Sequence, residues 1–119
     1  TGKYLPGHKL PDGSRATTES GAAFMRRFMT DEVLSRVQAL KPLAEQAGLS
    51  LAQLAVAWVL QNPNVSSAII GASRPEQVKE NVKAAGRELD LGLMQRIDEV
   101  IGPVVERDPA KTVSPERRP

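Results

Sequence analysis

Apolar residues recur along this chain first at helical spacing, then as a short unbroken run, then at helical spacing again. Thr30-Asp31-Glu32 precedes Val33, Leu34, Val37, Leu40 and Leu43, a three-to-four-residue repeat that turns one helix face inward. Thr30 is its expected N-cap, with two acidic residues in the first turn. Pro42 predicts a kink or a restart, and Gly48 supplies the left-handed position that ends this helix. Ser50-Leu51-Ala52-Gln53 then forms a capping-box pattern. In the helix body from Leu51 to Leu60, Gln53 is the only polar side chain, so burial nearly all round is expected. Asn62-Pro63-Asn64 breaks it. The next run, VSSAII at 65–70, is short, apolar and partly β-branched, which predicts a strand covered on both faces as in a parallel sheet. Ser73-Arg74-Pro75-Glu76 reads as a second capping box with proline in the first turn, and that helix should end near Gly86. Asp90 is the expected cap of a last helix whose Leu93, Met94, Ile97, Val100 and Ile101 share one face, with Arg96, Asp98 and Glu99 outside it. Gly102-Pro103 closes it.

The two ends carry less pattern. Residues 1–29 contain Gly2, Pro6, Gly7, Pro11, Gly13 and Gly21 and read mostly as a long loop, a kind that is usually functional or disordered. Only residues 22–29 look ordered, with Phe24 and Phe28 four apart on one face of a short helix. Residues 103–119 hold four prolines and scattered charges, the composition of a tail. The chain therefore divides into 1–29, 30–102 and 103–119.

Composition narrows this picture to one globular unit. The chain has 119 residues, 40% hydrophobic and 25% charged, enough for a single core. The formal net charge of +2 is too small to imply nucleic acid. With no cysteine there is neither a disulfide framework nor a thiolate metal site, which fits a cytoplasmic protein. No apolar run approaches the roughly 20 residues of a membrane span, so membrane insertion is not expected. Because the chain starts at Thr1, it is expected to be a piece of something longer.

The stretch IIGASRPEQVKEN at 69–81 holds the candidate chemistry. A buried strand ending in a small-residue turn would leave backbone amides and the positive end of a helix dipole at the mouth of the fold, where an anion can bind. Ser73 adds a hydroxyl and Arg74 a charged fork suited to phosphate oxygens. On a helical wheel Arg74, Gln77 and Asn81 form one stripe beside Val78, Val82 and Ala85, with Glu80 near its edge. The same residues also suit a plain helix cap beside a solvated arginine.

The joint pattern adds weight to the first of these readings. The segments TGKY, PDGSRA, GLSLAQLAVAWVLQNP and VSSAIIGASRPEQVKEN, in this order, resemble the C-terminal third of aldo-keto reductases over roughly residues 1–101. The nearest branch resembles the one that includes potassium-channel β subunits. The resemblance implies an α/β fold, the C-terminal part of a (β/α)8 barrel, with 65–70 as its eighth strand and NADPH as cofactor. It places Gly71 and Ser73 near the adenosine 2′-phosphate, Arg74 on that phosphate, and Gln77, Glu80 and Asn81 at the adenine end. This agrees with the phosphate sites that barrels build after strands seven and eight. Lys3 and Arg15 match positions in a loop, here within 1–29, that covers the cofactor and closes on its pyrophosphate. The activity implied for the complete protein is hydride transfer from NADPH to a small aldehyde or ketone.

A complete barrel needs about 250 residues, and the family's catalytic aspartate, tyrosine, lysine and histidine lie on earlier strands. No catalytic residue is expected here. Tyr4 belongs by resemblance to the cofactor loop, and His8 has no visible partner. The 119-residue piece is therefore expected to be inactive alone. Its expected partner is the missing N-terminal barrel portion, and without it the unpaired strand at 65–70 should drive self-association or leave the piece partly molten. A second reading is an NADPH-carrying regulatory or channel β-subunit-like protein, since fold does not fix function. A remote one is a DNA-binding helix-turn-helix across residues 44–55, but residues 51–62 contain no Lys or Arg to read bases or phosphates.

Overall fold

Local signals fix where the helices begin and end. In a computed structural model, which describes residues 2–108 and 110, six α-helices follow in order: α1 Glu19–Met25, α2 Asp31–Ala39, α3 Lys41–Gln46, α4 Leu51–Leu60, α5 Pro75–Asn81 and α6 Leu91–Ile101. The Thr30 hydroxyl accepts from the Val33 amide at 3.3 Å, and an Asp90 carboxylate oxygen accepts from the Leu93 amide at 2.8 Å. Both caps stand where the sequence puts them. Pro42 restarts the helix rather than bending it: α2 ends at Ala39 and α3 begins at Lys41, with proline in the first turn where no amide is missed. Gly48 has φ +65°. Around it the Leu49 amide donates to Ala44 O at 2.9 Å and the Gly48 amide to Glu45 O at 3.0 Å, the paired closure that a left-handed glycine permits.

Leu49, the residue just beyond that turn, drops into the core with Ala44, Leu54, Ala57, Ala84, Leu89, Leu93 and Ile97. Leu54 and Ile97 are each 1% exposed. Burying such a side chain contributes about 1.5–3 kcal/mol, and residues of α3, α4 and α6 meet in this cluster together with Leu49, Ala84 and Leu89. Arg36 ties α2 to the end of α6, donating from Nη1 to Val100 O at 2.8 Å where helix carbonyls lack partners. Gln38 Nε2 donates to Gly2 O and Tyr4 O at 3.0 and 3.1 Å, which lays the N-terminal segment along α2.

Three expectations change. Residues 65–70 form no strand, and among the described residues no strand is present at all. Among those residues the backbone of 66–72 makes no hydrogen bond, Ile69 is fully exposed and Ile70 is 39% exposed. The sequence of this segment suits a buried strand, but a strand exists only when a neighbour accepts its ladder of hydrogen bonds. Helix α4, expected to be buried nearly all round, hides Gln53, Leu54 and Ala57 and leaves Ala55 and Val59 in solvent. One of its faces has core to pack on and the other does not. The N-terminal helix starts earlier than the apolar residues suggested, because Thr18 caps it by accepting from the Gly21 amide at 3.2 Å. Phe24 and Phe28 do share a face, ring centroids 6.0 Å apart, yet both are exposed.

The start of the C-terminal segment is held down: Arg107 pairs with Asp98 of α6 at 3.0 Å, and Val104 and Val105 are partly buried. Residue 109 and residues 111–119 lie outside the described residues. No single helix among those residues is long and apolar enough to cross a membrane.

Candidate functional site

The front of α5 departs from the expected capping box for a reason that proline dictates. The residue before a proline is pushed out of helical geometry, and Arg74 is extended at φ −144°, ψ 145°. Arg74 thereby becomes the N-cap, Pro75 the first helical residue, and Gln77, not Glu76, the third. Gln77 Oε1 accepts from the Ser73 amide at 2.8 Å, the Ser73 hydroxyl at 3.2 Å and the Arg74 amide at 3.3 Å. Two of the backbone amides expected to stand free for an anion, those of Ser73 and Arg74, are therefore already engaged by a side chain of the same helix. Because Arg74 is not helical, it also leaves the stripe it was expected to share with Gln77 and Asn81.

Four of the expected residues do converge. A cavity of about 450 Å³ between the start of α4 and the inner face of α5 is lined by Gly71, Gln77, Glu80 and Asn81 together with Ser50, Leu51, Ala52 and Glu76. Gln77, Glu80 and Asn81 fall at i, i+3 and i+4, which puts them on one helix face. Ser73 and Arg74 line a different, more open recess with Ala72, Pro75, Val78 and Lys79. Among the described residues Arg74 makes no ion pair, so its guanidinium is free to meet an anion.

The two expected loop cations line neither of these recesses. Lys3 is exposed, its Nζ 5.3 Å from the centre of the Tyr4 ring. Its neighbour Gly2 lies so close to Leu51 that a β-carbon there would meet Leu51 Cδ2 at 2.6 Å, and Leu51 lines the cavity. Arg15 stacks over Phe24, 5.9 Å from the ring centre, in a shallow recess with Thr18, Ser20 and Gly21.

Behind the cavity stands a residue that the sequence marked only as a cap. Gln53 is 6% exposed. Its Oε1 accepts from the Ser50 amide at 2.9 Å, while its Nε2 donates to Glu80 O at 3.1 Å and to Glu80 Oε1 at 2.8 Å. The other carboxylate oxygen of Glu80 accepts from Lys83 at 2.9 Å. Capping explains the first of these bonds; the other two join residues 27 apart and have no signature in local sequence. Ser50, Leu51 and Ala52 were missed as lining for the same reason, since they belong to a separate helix.

The arrangement gives a concave wall of amides and a fixed carboxylate on one side of α5 and an unpaired guanidinium at its front. Its volume falls within the about 300–1,000 Å³ usual for small-molecule sites. Known proteins match this chain over the same elements. The profile of the Aldo/keto reductase family matches residues 2–102. A probable voltage-gated potassium channel subunit beta of Arabidopsis thaliana is 49% identical over 84 residues, 71% of this chain and 25% of that protein. A protein of the same description from Oryza sativa subsp. japonica is 42% identical over 116 residues, 96% of this chain and 34% of that protein. An L-glyceraldehyde 3-phosphate reductase of Escherichia coli (strain K12) is 41% identical over 86 residues, 71% of this chain and 24% of that protein. The chain thus spans about a quarter to a third of the length of these curated relatives.

Proposed function

The chain belongs to the aldo/keto reductase family, and from that premise we propose that it is the C-terminal, cofactor-binding portion of an NADPH-dependent reductase of aldehydes or ketones. In the complete protein it closes a (β/α)8 barrel. The observation that carries this reading is the cavity that gathers Gly71, Gln77, Glu80 and Asn81 beside the unpaired guanidinium of Arg74.

The side chains suit the adenosine end of such a cofactor. Glu80 is an acceptor, Asn81 and Gln77 offer both donors and acceptors, and Gly71 adds no side chain to the cavity wall. Arg74 is the group for the 2′-phosphate, since a guanidinium presents a fork of donors to phosphate oxygens. Lys3 and Arg15 are carried on the N-terminal segment, and in this reading they close over the pyrophosphate. The bound cofactor supplies the hydride; the residues of this chain anchor its far end. None of them is assigned to proton transfer. Phe24 and Phe28 lie side by side and exposed, and in this reading they border the substrate side of the barrel.

The named similarity to channel β subunits supports a second reading, an NADPH-carrying regulatory subunit. The helix-turn-helix reading gains nothing: α4 meets the preceding helical run at 89°, but its exposed Ala55 and Val59 offer no donors to base edges.

One comparison tests the proposal. The full-length protein should bind NADPH and oxidise it in the presence of small aldehydes, while the 119-residue chain should show no turnover above background. Full-length protein that binds NADPH without turnover would favour the regulatory reading. Failure to bind NADPH, or activity that purifies with the 119-residue chain, would overturn the assignment.

A further inference from the structure

Among the described residues, Gln53 is the one nearly buried polar side chain that joins α4 to α5 behind the cavity, and its bonding leaves no freedom. A neutral amide has two N–H donors and one carbonyl oxygen. Both donors of Gln53 go to Glu80, one to its backbone carbonyl and one to Oε1, and the oxygen takes the Ser50 amide. Turning the amide over would set its oxygen against two acceptors and its nitrogen against a donor, so only one orientation satisfies all three groups. With both protons spent inside the protein, Gln53 has none left to offer a ligand. Whatever it does for binding, it does through Glu80.

Resting on the assignment of this cavity to the adenosine end of the cofactor, we propose that Gln53 is a positioning residue that holds the Glu80 carboxylate so that the site distinguishes a base carrying an exocyclic amine from one carrying a carbonyl. Glu80 would otherwise swing, because its side chain lies at the edge of an exposed helix with 44% of its surface in solvent. Gln53 anchors Oε1 and Lys83 anchors Oε2, which fixes the carboxylate plane while leaving lone pairs on both oxygens for a ligand. An ionised carboxylate only accepts. A ligand atom brought against it must therefore donate: an adenine amine gains a charge-assisted bond, whereas a carbonyl at the same position meets a negative charge.

The capping box supplies a variant that separates this role from helix stability. Gln53→Glu keeps an oxygen for the Ser50 amide, since glutamate serves at this box position as well as glutamine, but sets a second carboxylate against Glu80. The full-length protein is titrated with NADPH and with its deaminated analogue, in which hypoxanthine replaces adenine. The wild type should prefer NADPH by at least about tenfold, the scale of one hydrogen bond to a charged group. In Gln53→Glu that ratio should fall towards one, with the analogue's own affinity changed by less than about twofold. Equal weakening of both nucleotides would reduce Gln53 to a structural prop and overturn the proposal. So would a wild type that binds both equally well, which would leave the cofactor assignment standing; a wild type that binds neither would end both. If Gln53→Glu does not fold, Gln53→Met removes the donor without adding charge, the same fall in ratio is expected, and an unchanged ratio overturns the proposal.

Discussion

The α3–α4–α6 core and the segment from Val65 into α5 both carry large aliphatic side chains, and those side chains meet opposite fates. In the first, Leu54 and Ile97 are almost completely enclosed; in the second, Ile69 is fully exposed, Ile70, Val78 and Val82 are all exposed, and the backbone of 66–72 finds no partner among the described residues. The difference is one of supply. Helices make their own hydrogen bonds and need only a neighbour for one face, which the chain provides between residues 40 and 101. A strand needs another strand to take up its ladder of hydrogen bonds, and an aldo/keto reductase barrel would draw such neighbours from segments that this chain does not contain. The radius of gyration, 15.3 Å, exceeds the about 13–14 Å of a close-packed chain of this length, as expected when part of the apolar surface faces outward.

Substitution in the enclosed half should have the largest effect. Ile97→Ala is expected to destabilise the isolated chain by about 2–5 kcal/mol, read as a lower urea midpoint; a loss below about 1 kcal/mol would mean that this core is not the stable part. At the front of α5, Arg74→Ala in the full-length protein should weaken NADPH by about 1.5–3 kcal/mol and leave NADH nearly unchanged. Equal losses for both nucleotides would remove the 2′-phosphate from Arg74. The smallest change in stability belongs to the open half. Ile69→Ser should change the unfolding free energy of the isolated chain, read by urea titration, by no more than about 0.5 kcal/mol while lowering its self-association in sedimentation, because an unpaired apolar edge is what a second chain would pair with. A compact monomer with strongly protected amides at 68–70 would break the comparison outright.

Sequence made the helix boundaries legible where the deciding contacts are a few residues apart: Thr30 to Val33, Ser50 to Gln53, Asp90 to Leu93, and the turn at Gly48. It misplaced the start of α5 by one residue because the effect of Pro75 on Arg74 outweighs the Ser73 pattern. It read 65–70 as a strand from side chains alone, although strand formation depends on partners. Within the site, the helical spacing of Gln77, Glu80 and Asn81 put them on one face, and the family resemblance gave them a ligand. The contribution of Ser50, Leu51 and Ala52, and the reach of Gln53 to Glu80, depend on how α4 meets α5 and are invisible before folding. The stacking of Arg15 on Phe24 is likewise a matter of how residues 2–29 are laid down.

The bonds of Gln77 change how occupancy of the α5 start should be reckoned. Its Oε1 already gathers the two amides and the hydroxyl that an incoming anion would use, so binding there is an exchange of acceptors and not a gain of three bonds. The net benefit is the excess of a charged acceptor over a neutral amide oxygen, together with whatever new contacts the displaced side chain finds. A ligand that also offers Gln77 a donor nearby recovers what the exchange costs, and an isolated anion does not. On the proposed assignment, the front of this helix would therefore rank ligands by their two ends together, favouring a molecule that joins a phosphate to a hydrogen-bonding group over either part supplied alone.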